Sequence, residues 1–167
     1  MLMHILARRR HALVACLISV AATGCGSSIP SDSACRNLTY KEQGLSRSEY
    51  LPCAGEIVTA LDELEQQSQA ASRGDQEARS NGRVALRRVN ALMDAAGGRN
   101  LLERWDDRAL TDLNLKISNA VTHYQAFYMV RVTEDQFAAQ TREAAAVELS
   151  AASRRYDEAR STYRRLQ

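Results

Sequence analysis

The sequence has little of the chemistry that most enzymes and metalloproteins need. Its 167 residues include three histidines, and because His4 and His11 precede residue 25, His123 is the only one in the rest of the chain. No serine or free cysteine lies at a spacing from His123 that is typical of nucleophilic catalysis, so we expect this histidine at a helix surface or boundary. The chain also lacks an H-E-x-x-H pair and a glycine-rich phosphate loop. The sequence therefore predicts no catalytic residue, no metal site, no cofactor and no small-molecule substrate.

Proline and strand-like patterns are also scarce. Pro30 and Pro52 are the only prolines, and no segment alternates apolar and polar residues over the length of a strand. Apolar residues recur instead at spacings of three and four. The sequence predicts an all-α fold, an antiparallel four-helix bundle of three to four long helices with a long C-terminal helix.

The apolar run near the start is too short to cross a bilayer as a stable helix. It extends over Ala12–Val20, is interrupted by Ser19, and follows the three arginines Arg8–Arg10. A transmembrane helix needs about 20 apolar residues. A positively charged start, a short apolar run and then small residues are typical of a leader peptide that is removed.

The stretch that ends this run is Ala22-Thr23-Gly24-Cys25. It resembles the lipobox of bacterial lipoproteins, although the family usually has a leucine where Ala22 stands. The resemblance covers about the first 28 residues. It implies that the thiol of Cys25 receives a diacylglycerol, that the leader is cut just before Cys25, and that the new amine is acylated. Two alternatives are an ordinary cleaved leader and an uncleaved anchor.

The residue after the predicted lipidation site bears on localisation. In lipoproteins of enteric-type bacteria an aspartate at this position favours retention in the inner membrane, and Gly26 stands there in this chain. The resemblance therefore implies the periplasmic face of the outer membrane.

The charge of the chain changes when the leader is set aside. The whole sequence has 22 basic and 20 acidic residues, but the leader contains three of the basic residues and none of the acidic ones. The remaining 19 basic and 20 acidic residues nearly balance. Such a balance argues against nucleic-acid binding as the main activity.

The cysteines point to an oxidising compartment. Cys16 lies in the leader and Cys25 is the predicted lipidation site, which leaves Cys35 and Cys53, separated by 17 residues. An isolated pair in an oxidising periplasm predicts one disulfide between them. The alternative is a redox-active or metal-binding thiol pair, although neither a C-x-x-C spacing nor a nearby histidine accompanies it.

These features divide the chain into three segments. Residues 1–24 are the cleaved signal peptide, residues 25–47 are a lipidated flexible tether with a disulfide loop, and residues 48–167 form the helical bundle domain. The tether is predicted from the small and polar residues at 26–34.

Two helices are predicted in the first half of the domain. The first extends over about Cys53–Ser72, and a capping box at Ser46-Arg-Ser-Glu49 allows an earlier start with Pro52 in the first turn. Asp75 caps the second helix, which ends at Gly97-Gly98. Their apolar stripes contain Ile57, Val58, Leu61, Leu64 and Ala71, and then Ala85, Leu86, Val89, Leu92, Met93 and Ala96.

A third helix begins after Asp106 or Asp107 and reaches about Val132. A capping box at Thr133-Glu-Asp-Gln136 predicts a break, after which the last helix extends from about Glu134 to Arg165. The alternative is a single helix of some 60 residues, which would turn the bundle into a rod. The packing seam of the third helix contains Leu110, Leu113, Ile117, Ala120, Tyr124 and Phe127.

The last helix has the most regular repeat in the chain, with spacings of four and three. The repeat consists of Ala145, Leu149, Ala152, Tyr156, Ala159, Tyr163 and Leu166. We expect this helix to outreach its neighbours, so that Tyr156, Tyr163 and Leu166 are available to bind a partner or a second copy of the chain.

Two further clusters have alternative interpretations. The aromatic cluster Tyr124, Phe127, Tyr128 and Phe137 fits core packing or an exposed patch for a partner helix. The arginines near the C-terminus fit a solvated helix face or contact with an anionic surface such as lipid head groups, a cell-wall polymer or an acidic protein. These arginines are Arg154, Arg155, Arg160, Arg164 and Arg165.

Together these patterns predict a lipid-anchored, non-enzymatic protein of the outer membrane. We expect it to act in envelope structure or assembly by binding another envelope protein or by self-association through its helices. A first alternative is escort of a secretion component, because the architecture broadly resembles the small helical pilotin lipoproteins, some of which carry a disulfide. A second alternative is an envelope enzyme.

Overall fold

The computed structural model describes residues 29–36, 38, 45–97, 107–130 and 138–167. These residues form four helices and no strand. The helices are α1 (Arg47–Ser72), α2 (Gln76–Ala95), α3 (Arg108–Met129) and α4 (Ala138–Leu166). The predicted all-α helical bundle is therefore confirmed.

The four helices form two antiparallel hairpins, α1 with α2 and α3 with α4. In the second hairpin, Nδ1 of His123 lies 2.8 Å from Oε2 of Glu148, and Nζ of Lys116 donates to Oγ1 of Thr162 at 3.0 Å. The order of these pairs along the two helices shows that α3 and α4 are antiparallel. The alternative of one continuous 60-residue helix is excluded, while the capping box predicted at residues 133–136 lies outside the described residues.

The capping box predicted at the start of α1 is present. The backbone N–H of Ser46 donates to Oε2 of Glu49 at 2.9 Å, so α1 begins at Arg47. The helix passes through Pro52 at its sixth residue, beyond the first turn where we expected it. Proline at this position removes one helical hydrogen bond. The remaining turns of α1 outweigh this cost because they bury a long apolar face.

The connection from α1 to α2 is a tight turn. Gly74 has a φ of 98°, a backbone conformation that a side chain disfavours. Asp75 then caps α2 by accepting a hydrogen bond from the backbone N–H of Ala78 at 2.9 Å. The end of α1 at Ser72 and the cap of α2 at Asp75 both match the sequence prediction.

Asp107 caps α3 and also ties this helix to α1. Its Oδ1 accepts from the backbone N–H of Ala109 at 2.9 Å, and its Oδ2 accepts from Nη2 of Arg47 at 2.7 Å. The hydrogen bond from Arg47, followed by those from the α3 backbone, holds the pKa of Asp107 below its ordinary value. The starts of α1 and α3 therefore lie at the same end of the bundle.

The core is formed by the apolar stripes that the sequence predicts. All five stripe residues of α1 are buried, as are those of α3. The stripe of α2 is buried at Ala85, Val89 and Leu92, and half-buried at Leu86 and Met93; Ala96, the residue just after the helix, is also buried. Burying a leucine or isoleucine side chain contributes about 1.5–3 kcal/mol, so burial of these stripes stabilises the bundle.

Helix α4 is the longest of the four described helices, with 29 residues. A helix of this length extends for about 44 Å. Ala145, Leu149, Ala152, Tyr156 and Ala159 are all buried in the core of the same chain. The alanines allow close approach to α1 and α3, and the repeat is used for packing within the bundle.

Candidate functional site

The segment that precedes α1 is docked onto the bundle rather than projecting from it. A disulfide joins Cys35 to Cys53, whose Cα atoms are 4.6 Å apart, and both residues are fully buried. The predicted disulfide is therefore present. Residues 29–36 fall within the stretch that the sequence assigns to the tether, and we call them the docked segment.

A carboxylate of α1 holds the docked segment next to the disulfide. Oε2 of Glu56 accepts a hydrogen bond from Oγ of Ser33 at 2.5 Å, and Oε1 accepts from the backbone N–H of Ala34 at 2.7 Å. Glu56 lies one helical turn after Cys53, so the same face of α1 provides the covalent and the hydrogen-bonded attachment. Ser33 is 3% exposed and Ile29 packs against the core. The segment is therefore held to the bundle at Ile29 and at residues 33–35.

A groove of about 610 Å³ lies between the docked segment and three helices of the bundle. The docked segment contributes Pro30, Asp32 and Ser33 to its wall. Five charged side chains of α1, α2 and α4 also line it, beside uncharged residues such as Val58 and Leu92; the charged ones are Glu56, Asp62, Arg88, Arg160 and Arg164. We call this feature the charged groove, and its size is within the range of small-ligand sites.

The three arginines of the charged groove are weakly paired within the protein. Nη1 of Arg88 lies 3.3 Å from Oε2 of Glu63, and both side chains are more than half exposed. Nε of Arg160 lies 3.9 Å from Oδ1 of Asp62, which is long for an ion pair. Arg164 is exposed and has no ion-pair partner among the described residues. Their guanidinium groups therefore retain donors for a ligand.

Two of the three carboxylates of the groove are engaged with the protein itself. Glu56 accepts the two hydrogen bonds from the docked segment, and Asp62 accepts one from the hydroxyl of Tyr156. Burial, and then the Asp62 carboxylate, raise the pKa of Tyr156 above its ordinary value. Asp32 is exposed in the docked segment. The arginine guanidinium groups are thus available in the groove as hydrogen-bond donors, whereas Glu56 and Asp62 make contacts within the protein.

A polar cluster deeper in the bundle joins α1 to α3 and α4. Oε2 of Glu65 accepts from the hydroxyl of Tyr124 at 2.5 Å, and Oε1 accepts from Oγ of Ser153 at 2.9 Å and from Nε2 of Gln69 at 2.9 Å. Burial, and then the Glu65 carboxylate, raise the pKa of Tyr124. Each member of the cluster has a partner, as expected of polar groups that fix the register of packed helices.

We expect Tyr124→Phe to lower the free energy of unfolding by about 1–2 kcal/mol, because it removes a hydrogen bond to a carboxylate but leaves Ser153 and Gln69 as partners of Glu65. The measurement is urea denaturation followed by circular dichroism. Tyr128→Phe is the matched control, since its hydroxyl lies 3.0 Å from Oγ of Ser68 and no carboxylate is involved. A larger loss for the control than for Tyr124→Phe would contradict the role assigned to Glu65.

The three residues predicted to bind a partner have different environments. Tyr156 is 6% exposed and contacts Asp62 of α1. Tyr163 and Leu166 are half-buried and pack against the core, and the ring of Tyr163 lies directly against Gly55 of α1. The C-terminal end of α4 therefore packs along the bundle instead of outreaching it. Only Tyr163 and Leu166 retain surface for a partner.

The members of the aromatic cluster and of the arginine cluster have different environments in the structure. Tyr124, Phe127 and Tyr128 are buried, as the core interpretation predicts, and Phe137 lies outside the described residues. Of the C-terminal arginines, Arg160 and Arg164 line the charged groove, whereas Arg155 pairs with Glu158 at 2.8 Å. The remaining two point elsewhere, with Arg154 exposed and Arg165 donating to Oγ1 of Thr162.

His123 connects two helices. The Glu148 carboxylate on α4 is its hydrogen-bond partner within the described part of the chain. No group of three or more potential metal ligands occurs among the described residues. In the same ranges, no helix combines the length and hydropathy required to cross a membrane. The predicted lipidation site, Cys25, lies outside the described residues.

Sequence reasoning did not identify Asp32, Glu56 or Arg88 as neighbours of the C-terminal arginines. A signal for Glu56 was available, because a residue one turn after Cys53 faces the segment attached to Cys35. No comparable signal exists for Arg88, since its place in the groove depends on how α2 is rotated against α1. Asp32 joins the groove only because the disulfide fixes the docked segment.

Neither a protein-family model nor a curated protein nor a solved structure matches this chain. We therefore infer the function of the chain from the arrangement of its own residues. The docked segment and the charged groove are the two features that bear on it, because they join the part of the chain nearest Cys25 to the C-terminal end of α4.

Proposed function

We propose that this chain is a lipoprotein of the bacterial cell envelope, anchored to the periplasmic face of the outer membrane through a lipid on Cys25. Its helical bundle has a non-enzymatic role in envelope structure or assembly and binds another envelope protein. The disulfide between Cys35 and Cys53 is the observation that carries the proposal. Disulfides persist in oxidising compartments such as the periplasm, which is where a lipobox directs a protein.

The contacts inside the bundle support a role in binding. The titratable groups between its helices are used for contacts from one helix to another, as in the Glu65 cluster and the His123–Glu148 pair. The surface carries isolated large apolar residues that are candidates for partner contact. These are Val84, Leu115, Met129 and Val147, which are between 48% and 79% exposed.

Escort of a secretion component, the pilotin-like alternative, receives less support. Such a function is expected to use an apolar groove that accepts a segment of the escorted chain. The charged groove is lined mainly by polar and charged side chains, so it does not provide such a surface.

Photo-crosslinking in native membranes tests the protein-binding role. The chain has only two lysines, which makes lysine-directed reagents unsuitable. A benzophenone amino acid is therefore placed at Val84 on α2, at Met129 on α3 or at Val147 on α4, one position at a time. We expect a defined adduct with one other envelope protein from one of these faces and not from the others. Adducts with the chain itself alone, or with no protein, would contradict the proposal.

A further inference from the structure

We infer that the charged groove binds the phosphate of a phospholipid head group in the leaflet that carries the lipid anchor. The inference rests on the proposed lipidation of Cys25 and assigns the groove a ligand that the anchor alone does not require. It joins two observations, the position of the groove beside the docked segment and the weakly paired arginines in its wall.

The length of chain between the lipid and the bundle brings the groove to the membrane surface. Three residues, 26–28, separate Cys25 from Ile29, which packs against the core. Four Cα–Cα steps span at most about 14 Å, whatever conformation these residues adopt. Pro30 is the next residue and already lines the groove. A lipid on Cys25 therefore holds this face of the bundle against the head-group layer, which is several ångströms thick.

The attachment of the docked segment to α1 limits the distance between Cys25 and the bundle. The disulfide and the two hydrogen bonds to Glu56 fix residues 33–35 to α1, so the tether cannot lengthen beyond Ser33. Pro30, close to the N-terminal end of this segment, itself lines the groove. A groove built elsewhere on the bundle would not be held at the membrane in this way.

The chemistry of the groove fits a phosphate. Arginine presents planar donors that match phosphate oxygens, and Arg160 and Arg164 lie one helical turn apart on α4. Arg160 has a long contact with Asp62, and Arg164 has no ion-pair partner in the described ranges. Tyr163 lines the same groove, and tyrosine is a residue type enriched where proteins meet the membrane interface.

The carboxylates of the groove favour a zwitterionic head group over a polyanion. Asp32, Glu56 and Asp62 balance the three arginines, so the groove as a whole does not attract anions at long range. A phosphoethanolamine head group carries a phosphate next to an ammonium group. The arginines line the groove and can donate to the phosphate, and the exposed carboxylate of Asp32 can accept from the ammonium.

Arginine labelling of the intact lipoprotein tests the inference. The protein is purified with its acyl chains in dodecyl maltoside, which has no phosphate, or reconstituted into vesicles of phosphatidylethanolamine and phosphatidylcholine. Phenylglyoxal modification of each arginine is then followed by mass spectrometry. We expect labelling of Arg160 and Arg164 to slow by about fivefold or more in vesicles, because a short tether gives a millimolar effective concentration of head groups. Arg154, exposed on the same helix outside the groove, is the matched control.

Two variants and a soluble anion test whether the protection comes from a bound head-group phosphate. Arg160→Gln is expected to remove the protection of Arg164, because the two side chains share the phosphate, whereas Arg154→Gln leaves it unchanged. Inorganic phosphate added to the detergent sample is expected to protect neither arginine. Equal slowing at Arg154 would mean general shielding by the membrane, and equal protection by inorganic phosphate would mean a site for a soluble anion. Either outcome would overturn the inference.

The same spectra separate this inference from the proposed function. They report the mass of the N-terminal peptide, and therefore whether Cys25 carries acyl chains. An acylated Cys25 with no protection of Arg160 and Arg164 would refute the lipid-binding groove alone. An unmodified Cys25 would refute the proposed anchoring itself.

Discussion

Replacing Cys35 and Cys53 with alanine is expected to lower the free energy of unfolding by about 3 kcal/mol, since the disulfide closes a loop of 17 intervening residues. Such a loss changes the unfolding equilibrium by more than a hundredfold. Alanine is the appropriate replacement because both sulfur atoms are fully buried and a serine would bury a hydroxyl. Urea denaturation of the variant, and of the wild-type protein with and without a reducing agent, measures the effect.

The variant also tests what holds the docked segment. Without the cross-link, the hydrogen bonds from Ser33 and Ala34 to Glu56 and the packing of Ile29 are the remaining attachments. We expect proteolysis before residue 36 to accelerate in the double alanine variant. Ser33→Ala is the matched control, because it removes one hydrogen bond and keeps the disulfide. Equal denaturation midpoints for the oxidised, reduced and alanine forms would contradict the role of this cross-link.

The helix caps and the buried helix faces are predicted correctly from the sequence, because each depends on residues that lie close together in the chain. Ser46 and Glu49 lie three residues apart and cap α1 as the pattern indicates, and Asp75 follows a glycine and caps α2. The apolar stripes are buried because a helix repeats its faces every 3.6 residues in any context. The pairing of Cys35 with Cys53 follows from elimination once two other cysteines are assigned elsewhere.

The contacts between helices are less predictable because they depend on rotation and axial shift. Gly82 lies inside α2, where glycine costs about 1 kcal/mol relative to alanine. The structure gives the reason, since the ring of Tyr128 on α3 lies where a Cβ atom of residue 82 would be. Gly55 and Tyr163 form a second pair of this kind between α1 and α4. An isolated glycine in a helix indicates close approach, but it does not identify the approaching side chain.

The C-terminal repeat shows how one pattern fits two structures. Its spacings of four and three are equally compatible with pairing to another chain and with packing in the same bundle. Which applies depends on how the helices are aligned along their axes. The side chain of Tyr163 lies against Gly55 of α1, so the last turns of α4 pack beside α1. Gly55 is part of the helix that the sequence predicts, but no local pattern places it beside Tyr163.

Replacing Cys25 with alanine is expected to abolish lipid attachment and to move the protein out of the outer-membrane fraction, or to leave it as a precursor that retains the leader. Two or three acyl chains make anchoring effectively stable. In the described ranges, no helix is long and apolar enough to cross a membrane. The variant and the wild-type protein are compared by incorporation of a labelled fatty acid and by membrane fractionation. Loss of both the label and the outer-membrane location is the expected result.

Cys16→Ala is the matched control for this experiment, because Cys16 is the other cysteine of the first 28 residues and lies inside the apolar run of the predicted leader. Its replacement is expected to change neither the label nor the location. Unchanged fatty-acid incorporation in Cys25→Ala would contradict the lipobox interpretation. The short distance from Cys25 to the docked segment makes the outcome decisive for the groove as well, since the groove is held at the membrane only if Cys25 carries the lipid.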